Sequence, residues 1–367
     1  MYFRNIVVGA GFAGATIARR IAEEKNEEVL IVEKRNHIAG NAFDFYNEYG
    51  ILVHKYGPHI FHTNNKKVWD WLSRFTEWHL YQHRVLTYID GMKIPMPISA
   101  ETINKLYNLN LSCDEVEKWL QDQAENIEEV KSSEDVVLSK AGKEIYEKFF
   151  KNYTYKQWER YPNELDTSVI ARIPIRKNRD TRYFTDKYQG IPKQGYTKMF
   201  ENILDHKNIH MLLNTNWKDI EKHIRYDKLY YTGPIDEFYD YKFGKLGYRS
   251  VKFEYETYFN KGFYQEVGTV NYPNDYDFTR ITEYKHLTGQ DTLHTTIAKE
   301  YPIKDGEPYY IIPDEVNKMN AQRYHDYSQN EKKVLFIGRL AEYKYYNMDH
   351  IVEKVLDINF RDWEEVI

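Results

Sequence analysis

The first candidate for chemistry is a group of glycines spaced to hold the pyrophosphate of a dinucleotide. Residues 9–14 read GAGFAG, which is the G-x-G-x-x-G pattern, and they follow an apolar, β-branched run. The first two glycines of such a turn let the backbone approach a phosphate, and the third lets a helix pack against the strand. The helix N-terminus adds amide groups and positive potential. The cofactor-binding candidates of this motif are Gly9, Gly11, Phe12 and Gly14.

The residues after the next apolar run favour FAD over NAD as the dinucleotide. Glu33 ends that run about 20 residues after the motif, where a carboxylate can accept hydrogen bonds from an adenosine ribose. The stretch EKRNHIAGNAFD (33–44) then supplies a basic residue and a glycine, and this continuation resembles FAD proteins of the two-dinucleotide-binding kind. For Arg35, a solvated surface position is the alternative. The cofactor-binding candidates here are Glu33, Lys34, Arg35, Gly40 and Asn41.

Three histidines lie in the stretch HKYGPHIFHT (54–63): His54, His59 and His62. A zinc site needs further ligands, and no H-E-x-x-H pattern or cluster of carboxylates and cysteines accompanies these histidines. We therefore predict no metal. We favour a Gly-Pro turn that presents His59 and His62 to a flavin. The alternative is a pair of partly buried histidines whose hydrogen bonds are satisfied within the protein.

Arginines and aromatic residues in separate stretches could bind a nucleoside diphosphate if the fold brings them together. Guanidinium groups match the geometry of phosphate oxygens, and flat aromatic faces suit a nucleobase or a sugar. Taken singly, each of these residues is more consistent with ordinary surface or core. The candidates are Tyr153, Tyr155, Trp158, Arg172, Arg176, Tyr183, Arg280, Tyr309 and Tyr310.

Length and composition are those of a globular protein with two or three domains. The chain has 367 residues, 42% of them apolar and 29% charged, and its formal charge of -5 provides no broad cationic surface for nucleic acid or an anionic membrane. The single Cys113 excludes an intrachain disulfide and favours a reducing compartment, so we predict the cytoplasm. The apolar stretch IVVGAGFAGATIA is too short to span a bilayer, and we predict no membrane insertion.

The order of the predicted elements indicates an α/β fold with a discontinuous FAD-binding Rossmann-like domain, a small helical domain and a mainly antiparallel β-sheet domain. A βαβ unit opens the chain, a hairpin surrounds Asp90-Gly91, and Ser99 and Ser112 precede helices as N-caps. Residues 183–196 show turn signals, and runs rich in Tyr, Val and Thr follow from residue 248. We predict an FAD-binding domain over 1–65, 195–240 and 331–367, a helical domain over 99–160, and a substrate domain over 66–98, 161–194 and 241–330.

Stretches along the whole chain together resemble bacterial UDP-galactopyranose mutase. They include VVGAGFAG, HKYGPHIFHT, NYTYKQW, ARIPIR, EPYYIIP and GRLAEYKYYNMDH, and they occur in the family's order. The resemblance implies an enzyme that interconverts UDP-galactopyranose and UDP-galactofuranose without net redox change, on FAD that must be reduced. In the implied mechanism, N5 of the reduced flavin forms a covalent adduct with the sugar, which opens and recloses with the other ring size.

The resemblance also implies roles for substrate-side residues. Arg172 and Arg280 match the arginines that hold the diphosphate and are expected to be catalytic. Tyr153 and Trp158 match the aromatic motif on the uridine side. Tyrosines near the diphosphate and a polar residue of the sugar pocket complete the substrate-binding set: Tyr183, Tyr310, Tyr345 and Asn271.

On the cofactor side, the resemblance places two catalytic histidines, His59 and His62, beside the flavin, and Arg339 near its ring. Gly338 is expected to let the strand end pass close to the flavin, and Asn347 to N-cap the last helix with its side chain. The cofactor-binding candidates near the C-terminus are Gly338, Arg339, Tyr345, Asn347 and Met348.

A homodimer, an external reductant of the flavin and a product used for cell-surface glycans are also implied. The departures from the family pattern are Ala39 before Gly40, Glu159, Lys177, Arg179, Arg182, and Asn347 in place of an aspartate. They leave the sugar open between galactose and N-acetylgalactosamine. The alternatives to a mutase are an FAD-dependent oxidase or desaturase, and a flavin-binding redox sensor without turnover.

Overall fold

The computed structural model describes residues 2–171 and 173–360, whose strands and helices we number in chain order. The strands are β1 (Tyr2–Val8), β2 (Val29–Val32), β3 (Asp44–Tyr46), β4 (Leu52–His54), β5 (Phe61–Thr63), β6 (Trp78–Leu80), β7 (Val85–Ile89), β8 (Met92–Met96), β9 (Tyr188–Pro192), β10 (Ile209–Leu212), β11 (Arg225–Tyr231), β12 (Tyr248–Tyr258), β13 (Thr269–Asn271), β14 (Arg280–Glu283), β15 (Thr295–Ile303), β16 (Tyr310–Ile311) and β17 (Val334–Phe336). The helices are α1 (Phe12–Arg20), α2 (Lys66–Leu72), α3 (Ala100–Tyr107), α4 (Cys113–Gln123), α5 (Ser133–Ile145), α6 (Asn152–Trp158), α7 (Ser168–Ala171), α8 (Tyr196–Leu204), α9 (Trp217–Ile220), α10 (Ile235–Phe238), α11 (Tyr284–Thr288), α12 (Glu315–Ser328) and α13 (Met348–Leu356). Within these residues, no helix has both the length and the apolar character that a membrane crossing requires.

Five parallel strands form the sheet that carries the glycine motif. Their order across the sheet is β10-β2-β1-β11-β17. β2 reads VLIV and is buried along its whole length, as expected for a strand covered on both faces. Helices α1, α8 and α13 contribute apolar side chains to the core on one face, and Trp217 of α9 packs on the other. The α/β fold predicted from the opening βαβ pattern is confirmed.

A second sheet of seven strands has the order β16-β12-β15-β14-β13-β7-β8 and is antiparallel except between β13 and β7. β7 and β8 form the predicted hairpin around Asp90-Gly91. FTRITEYKHL (278–287) is one of the runs after residue 248 from which the antiparallel sheet is predicted, but its second half leaves β14 at Glu283 and forms α11. Tyr284 and Leu287 are both fully buried, and residues three apart share one face of a helix but not of a strand.

A small third sheet, in the order β5-β9-β6, was not predicted, because residues 183–196 show only turn signals in the sequence. β9 forms in this stretch by antiparallel pairing with β5 on one side and β6 on the other. Both partners lie far away in the chain, so local sequence does not reveal the pairing. The division into three domains stays a prediction.

Helices α3 to α6 form a layer against the β7-β8 hairpin. Ser99 and Ser112 cap α3 and α4 as predicted, since each side chain accepts a hydrogen bond from the third amide of its helix. The next helix begins earlier than the pattern KEIYEKFF indicates, because Ser132 caps α5 at Ser133. A kink at Gly142, whose φ is +76°, then redirects the chain toward α6.

We predict that Gly142 tolerates no side chain. A Cβ there would lie 2.1 Å from the Gln123 backbone oxygen, whereas one on Gly91, with a similar φ of +80°, would meet open space. Gly91→Ala should lower the free energy of unfolding by about 1 kcal/mol through backbone strain alone. Gly142→Ala should lower it by about 3 kcal/mol, because steric overlap adds to the strain. Equal losses for the two variants in urea unfolding would contradict this prediction.

Candidate active site

The carboxyl ends of the parallel strands open onto a cavity, and the glycine turn after β1 lies at its base. Gly9 has a φ of +103°, and a Cβ on it would lie 2.1 Å from Thr232 Oγ1. A Cβ on Gly40 would lie 2.9 Å from the Gly11 Cα. Three backbone segments therefore approach one another without side chains between them. This arrangement leaves the N-terminus of α1 open to the cavity, as dinucleotide binding requires.

The acidic end of the cavity is organised by Glu33. Its Oε2 accepts a hydrogen bond from the Ala10 amide and its Oε1 one from the Arg35 amide, both at 2.8 Å. Each carboxylate oxygen keeps a second lone pair that can accept a hydroxyl. Because the carboxylate is held in place at the end of β2, it fits the ribose-binding role predicted for it.

Most of the predicted cofactor residues line this one cavity: Gly9, Gly11, Phe12, Glu33, Lys34, Arg35, Gly40, Asn41, His59, Gly338, Arg339, Asn347 and Met348. Gly14 lies behind the lining, where a Cβ would come 1.9 Å from the Gly9 oxygen, so it serves the packing of α1. Tyr345 is also outside the lining, and its ring centroid lies 4.9 Å from the Arg339 guanidinium carbon. The residues were predicted from separate stretches, and the fold brings them together.

Several lining residues were not predicted as cofactor residues, although the last of them was a candidate for binding a nucleoside diphosphate: Thr215, Asn216, Trp217, Thr232, Gly233, Pro308 and Tyr309. All but the last two follow β10 or β11, which belong to the same parallel sheet as β1. Because parallel strands end at one edge, the residues after each strand are expected to meet there. That rule, applied to the two later strands, would have found them.

The prediction that the side chain of Asn347 caps the last helix is wrong. It occupies the N-cap position of α13, but its side chain makes no capping hydrogen bond. It lines the cavity together with Met348 and Arg339. The guanidinium of Arg339 is oriented by donating from Nη2 to the Tyr346 carbonyl at 2.6 Å. The N-terminus of α13 and a positively charged side chain thus share one wall of the cavity.

The histidines of residues 54–63 occupy different positions. His54 is fully buried, and burial lowers its pKa to about 4. Its Nδ1 accepts a hydrogen bond from the His59 amide at 3.0 Å, which fixes the loop that presents His59 to the cavity. Burial, with help from His54 and Arg339, also lowers the pKa of His59 to about 4. His62 does not line the cavity, and its Nδ1 lies 3.0 Å from Asp186 Oδ2.

A second group of predicted residues surrounds Arg280. Its Nη2 donates to the Tyr153 hydroxyl at 2.5 Å, and its Nε lies 3.5 Å from Glu300 Oε2 on the neighbouring strand. Asn271 is its register partner on β13. Tyr183 and Tyr310 are close enough to Arg280 to affect it electrostatically. We refer to Tyr153, Asn271, Arg280, Glu300 and Tyr310 as the Arg280 cluster.

Burial and the pairing of Arg280 with Glu300 determine the charge states of the Arg280 cluster. Burial raises the pKa of Glu300, and the nearby Arg280 only partly offsets that effect. Burial opposes ionisation of Arg280 as well, but the Glu300 carboxylate outweighs it and keeps the pKa of the guanidinium well above its usual value. Burial raises the pKa of Tyr153 to about 12, so its hydroxyl stays neutral.

The cluster retains hydrogen-bonding capacity that the protein does not use. Two buried polar atoms of the cluster have no hydrogen-bond partner among the described residues, Arg280 Nε and Glu300 Oε1, and α6, which carries Tyr153, has two more: Trp158 Nε1 and Gln157 Oε1. Since buried polar atoms are normally paired, such a concentration indicates a ligand-binding region. Arg172, the second predicted catalytic arginine, lies outside the described residues.

Four of the departures from the family pattern form ion pairs in the structure. Lys177, Arg179 and Arg182 pair with Glu117, Glu101 and Asp180 at 2.7, 2.6 and 2.8 Å, so these cations belong to surface ion pairs. Glu159 ends α6 with a φ of +52°, and its Oε1 lies 2.9 Å from Nη1 of the buried Arg249.

Comparison with known proteins decides the family. A family model described as UDP-galactopyranose mutase matches residues 148–345, and one described as an NAD(P)-binding Rossmann-like domain matches residues 7–75. A Klebsiella pneumoniae protein named "Probable UDP-galactopyranose mutase" is 39% identical over 96% of this chain and 93% of its own length. The chain belongs to the UDP-galactopyranose mutase family. An Escherichia coli relative named dTDP-fucopyranose mutase is 37% identical over 96% of both chains.

Solved structures share the fold of this mutase. A crystal structure of reduced UDP-galactopyranose mutase matches with a TM-score of 0.79 and 15% identity, covering 97% of this chain and 93% of that one. A putrescine oxidase matches with a TM-score of 0.59 and 11% identity, over 100% and 99% of the two chains. At these identities the matches show the fold alone. Family membership, rather than fold, therefore identifies the chain as a flavin-dependent mutase, and the prediction of FAD is confirmed.

Arg35, which lines the cofactor cavity of the mutase, forms an ion pair with Glu307. Arg35 Nε donates to Glu307 Oε2 at 2.8 Å, and Arg35 Nη2 donates to Asn41 Oδ1 at 2.9 Å. The guanidinium carbon lies 4.4 Å from the Tyr56 ring centroid. Glu307 belongs to the loop between β15 and β16, whose Pro308 and Tyr309 form part of the cavity wall.

We predict that this ion pair slows the release of FAD. Glu307→Gln should accelerate release about three- to tenfold, because the charge-assisted bonds to Arg35 are lost. Asp305→Asn, a change of equal charge in the same loop, is the matched control. Release is followed by the fluorescence of free FAD, and the effect of Glu307→Gln should vanish in an Arg35→Ala background. Equal rates for the two single variants would contradict the prediction.

Proposed function

We propose that this enzyme interconverts UDP-galactopyranose and UDP-galactofuranose, and that its FAD must be reduced during turnover. One observation carries the proposal: the buried Nε of Arg280 has no hydrogen bond among the described residues, within a cluster that also holds Tyr153 and Glu300. A guanidinium that keeps an N–H group without a hydrogen bond is suited to binding a diphosphate, because its planar N–H groups match the phosphate oxygens. The names of the relatives from Klebsiella pneumoniae and Mycoplasma pneumoniae support the same reaction.

The substrate-side residues are assigned as follows. Arg280, with Arg172 as its expected partner, holds the diphosphate, and Tyr183, Tyr310 and Tyr345 surround it. Tyr153 and Trp158 bind on the uridine side, where the unpartnered indole Nε1 of Trp158 can donate a hydrogen bond. Asn271 contacts the sugar, since it lies opposite Arg280 on the next strand.

The cofactor-side residues provide position and charge. Bound FAD supplies the reactive centre that attacks the anomeric carbon of the sugar. Arg339 and the N-terminus of α13 line one wall of the cavity, where their positive potential can stabilise negative charge on a reduced flavin. His59 stays neutral at pH 7, because its pKa is lowered to about 4, and it therefore adds a hydrogen-bonding ring without a second cation.

A dTDP-linked 6-deoxy sugar is the second candidate substrate. The observation that favours it is the Escherichia coli relative named dTDP-fucopyranose mutase, whose identity of 37% is close to the 39% of the relative from Klebsiella pneumoniae. The two nucleotides differ by the thymine methyl group and the ribose 2′-hydroxyl, and the two sugars differ by one hydroxyl. Neither difference involves the diphosphate that Arg280 is proposed to hold.

The wider assignments are also proposals. We infer a homodimer in the cytoplasm, an external reductant for the flavin, and a product that supplies furanose units to cell-surface glycans. These assignments are supported by the family to which the chain belongs.

An anaerobic assay tests the proposed function. Dithionite-reduced enzyme is incubated with UDP-galactofuranose, UDP-N-acetylgalactofuranosamine and dTDP-fucofuranose, and the pyranose products are measured by chromatography. We expect conversion of UDP-galactofuranose with the highest kcat/KM and no conversion by the oxidised enzyme. Preference for the dTDP sugar would establish the second candidate. Turnover that is independent of the flavin redox state would contradict the proposed function.

Arg280→Ala should abolish most turnover while leaving FAD bound. Removing a charged donor from the diphosphate should lower kcat/KM at least about 100-fold, the scale found for groups that stabilise developing charge. Arg74→Ala, which removes an arginine paired with Glu23 on the surface, is the control. FAD content is read from the flavin absorbance of the purified variants. A colourless Arg280→Ala variant would count against a role on the substrate side.

A further inference from the structure

Asp186 holds one of the predicted catalytic histidines in a defined state. Asp186 Oδ2 lies 3.0 Å from His62 Nδ1, and its Oδ1 accepts a hydrogen bond from Asn64 Nδ2 at 2.8 Å. Phe184 stacks on the imidazole with 3.7 Å between ring centroids. The side chains of His62 and Asp186 are only 14% and 23% exposed. The ring is therefore fixed by a carboxylate at its edge and an aromatic ring on its face.

This contact determines which nitrogen of His62 carries the proton. An ionised carboxylate only accepts hydrogen bonds, so Nδ1 must be the donor. In the neutral ring, Nε2 is then the basic nitrogen, and within the described part of the chain it has no hydrogen-bond partner. Carboxylates that hold a histidine in this way also stabilise the imidazolium that forms when Nε2 accepts a proton.

Aromatic side chains lie between the His62–Asp186 pair and residues that interact with Arg280. Phe184 contacts Tyr183 with 5.0 Å between ring centroids, and the ring of His83 lies 6.1 Å from that of Phe184. Burial, with smaller contributions from the charges of Arg280 and His62, lowers the pKa of His83 to about 3. Phe184 thus contacts the rings of His62, Tyr183 and His83, and the last two are close enough to Arg280 to interact with it electrostatically.

The proposed reaction requires one proton to change its position. In the pyranose the sugar C1 is bonded to O5 and O4 carries a proton; in the furanose C1 is bonded to O4 and O5 carries the proton. Going from pyranose to furanose, the C1–O5 bond breaks, the C1–O4 bond forms, and a proton leaves O4 while one arrives at O5. No electrons are gained or lost overall. A single group that gives a proton to O5 when the ring opens and regains one from O4 when the ring recloses completes the cycle.

We propose that His62 Nε2 is this proton carrier and that Asp186 is its positioning residue. The inference rests on the proposed function, because it concerns the hydroxyls of a sugar that changes ring size. Asp186 holds the proton on Nδ1 and stabilises the imidazolium, whose Nε2 gives a proton to O5 as the ring opens and takes the proton of O4 as the ring recloses. The carboxylate neutralises the imidazolium at the start and at the end of this cycle.

The neighbouring histidines are unsuited to this role. Burial keeps His83 neutral, and its Nδ1 is engaged by the Tyr81 hydroxyl at 3.1 Å. His59 is neutral for the same reason, with its Nδ1 at 2.9 Å from the Gly57 carbonyl. Of these three histidines, His62 is the one with a carboxylate at its ring.

Kinetics of Asp186→Asn and Asp186→Ala test the proposal on the intact, FAD-loaded enzyme. We expect kcat to fall about 10- to 100-fold with KM within about twofold, since removal of a residue that orients another has effects of this size. The solvent deuterium isotope effect on kcat should rise, because proton transfer becomes slower. Asp70→Asn removes a carboxylate from an exposed pair with Lys66 and is the control for lost charge. A kcat within twofold of that control would overturn the proposal.

Nitrogen NMR of histidine-labelled protein gives a readout that does not depend on turnover. The wild type should show His62 protonated on Nδ1, with His62→Gln identifying the signal, and Asp186→Ala should shift the ring toward the other tautomer. A wild-type His62 that carries a proton on Nε2 but none on Nδ1 would overturn the proposal. Kinetics use whichever nucleotide sugar the enzyme converts best. Failure of UDP-galactose as substrate would therefore be distinguishable from failure of Asp186 as positioning residue, and circular dichroism with FAD content verifies that each variant is folded.

Discussion

The substrate side of this enzyme depends on one buried pair of opposite charges. Glu300 is 2% exposed and lies directly opposite Arg280 across β14 and β15. A carboxylate at such a position is destabilising by several kcal/mol unless a cation faces it. Arg280 satisfies that need with one edge of its guanidinium and reaches Tyr153 of α6 with another. The pair therefore fixes both the charge of the site and the approach of the helical layer to the sheet.

A single stretch of chain connects this pair to the cofactor cavity. β15 carries Glu300, the following loop carries Glu307, and β16 begins at Tyr310. Glu307 bonds to Arg35 of the cofactor cavity, while Tyr310 is close enough to Arg280 to affect its pKa. The partner of Arg35 and the buried carboxylate that faces Arg280 therefore belong to one continuous stretch of chain.

The sequence allowed the local features of the fold to be predicted, and the non-local features were missed. The glycine turn, the caps at Ser99 and Ser112 and the hairpin at Asp90-Gly91 depend on neighbours in the chain, and the structure has them. β9 forms only because two distant strands enclose it. Asp186 was overlooked for the same reason, since its partner His62 is 124 residues away.

Glu159 shows how a strained position can become indispensable. A helix that ends in the left-handed region usually places glycine there, and a side chain costs about 1 kcal/mol. Here the carboxylate neutralises Arg249, which is 2% exposed, and an unpaired charge so buried would cost about 3–5 kcal/mol. Glycine at position 159 would therefore relieve the backbone strain. It would nevertheless lower the stability of the protein, because Arg249 would lose its counter-charge. Positions 159 and 249 thus form one electrostatic unit, in which removal of the carboxylate would leave a buried cation without its counter-charge.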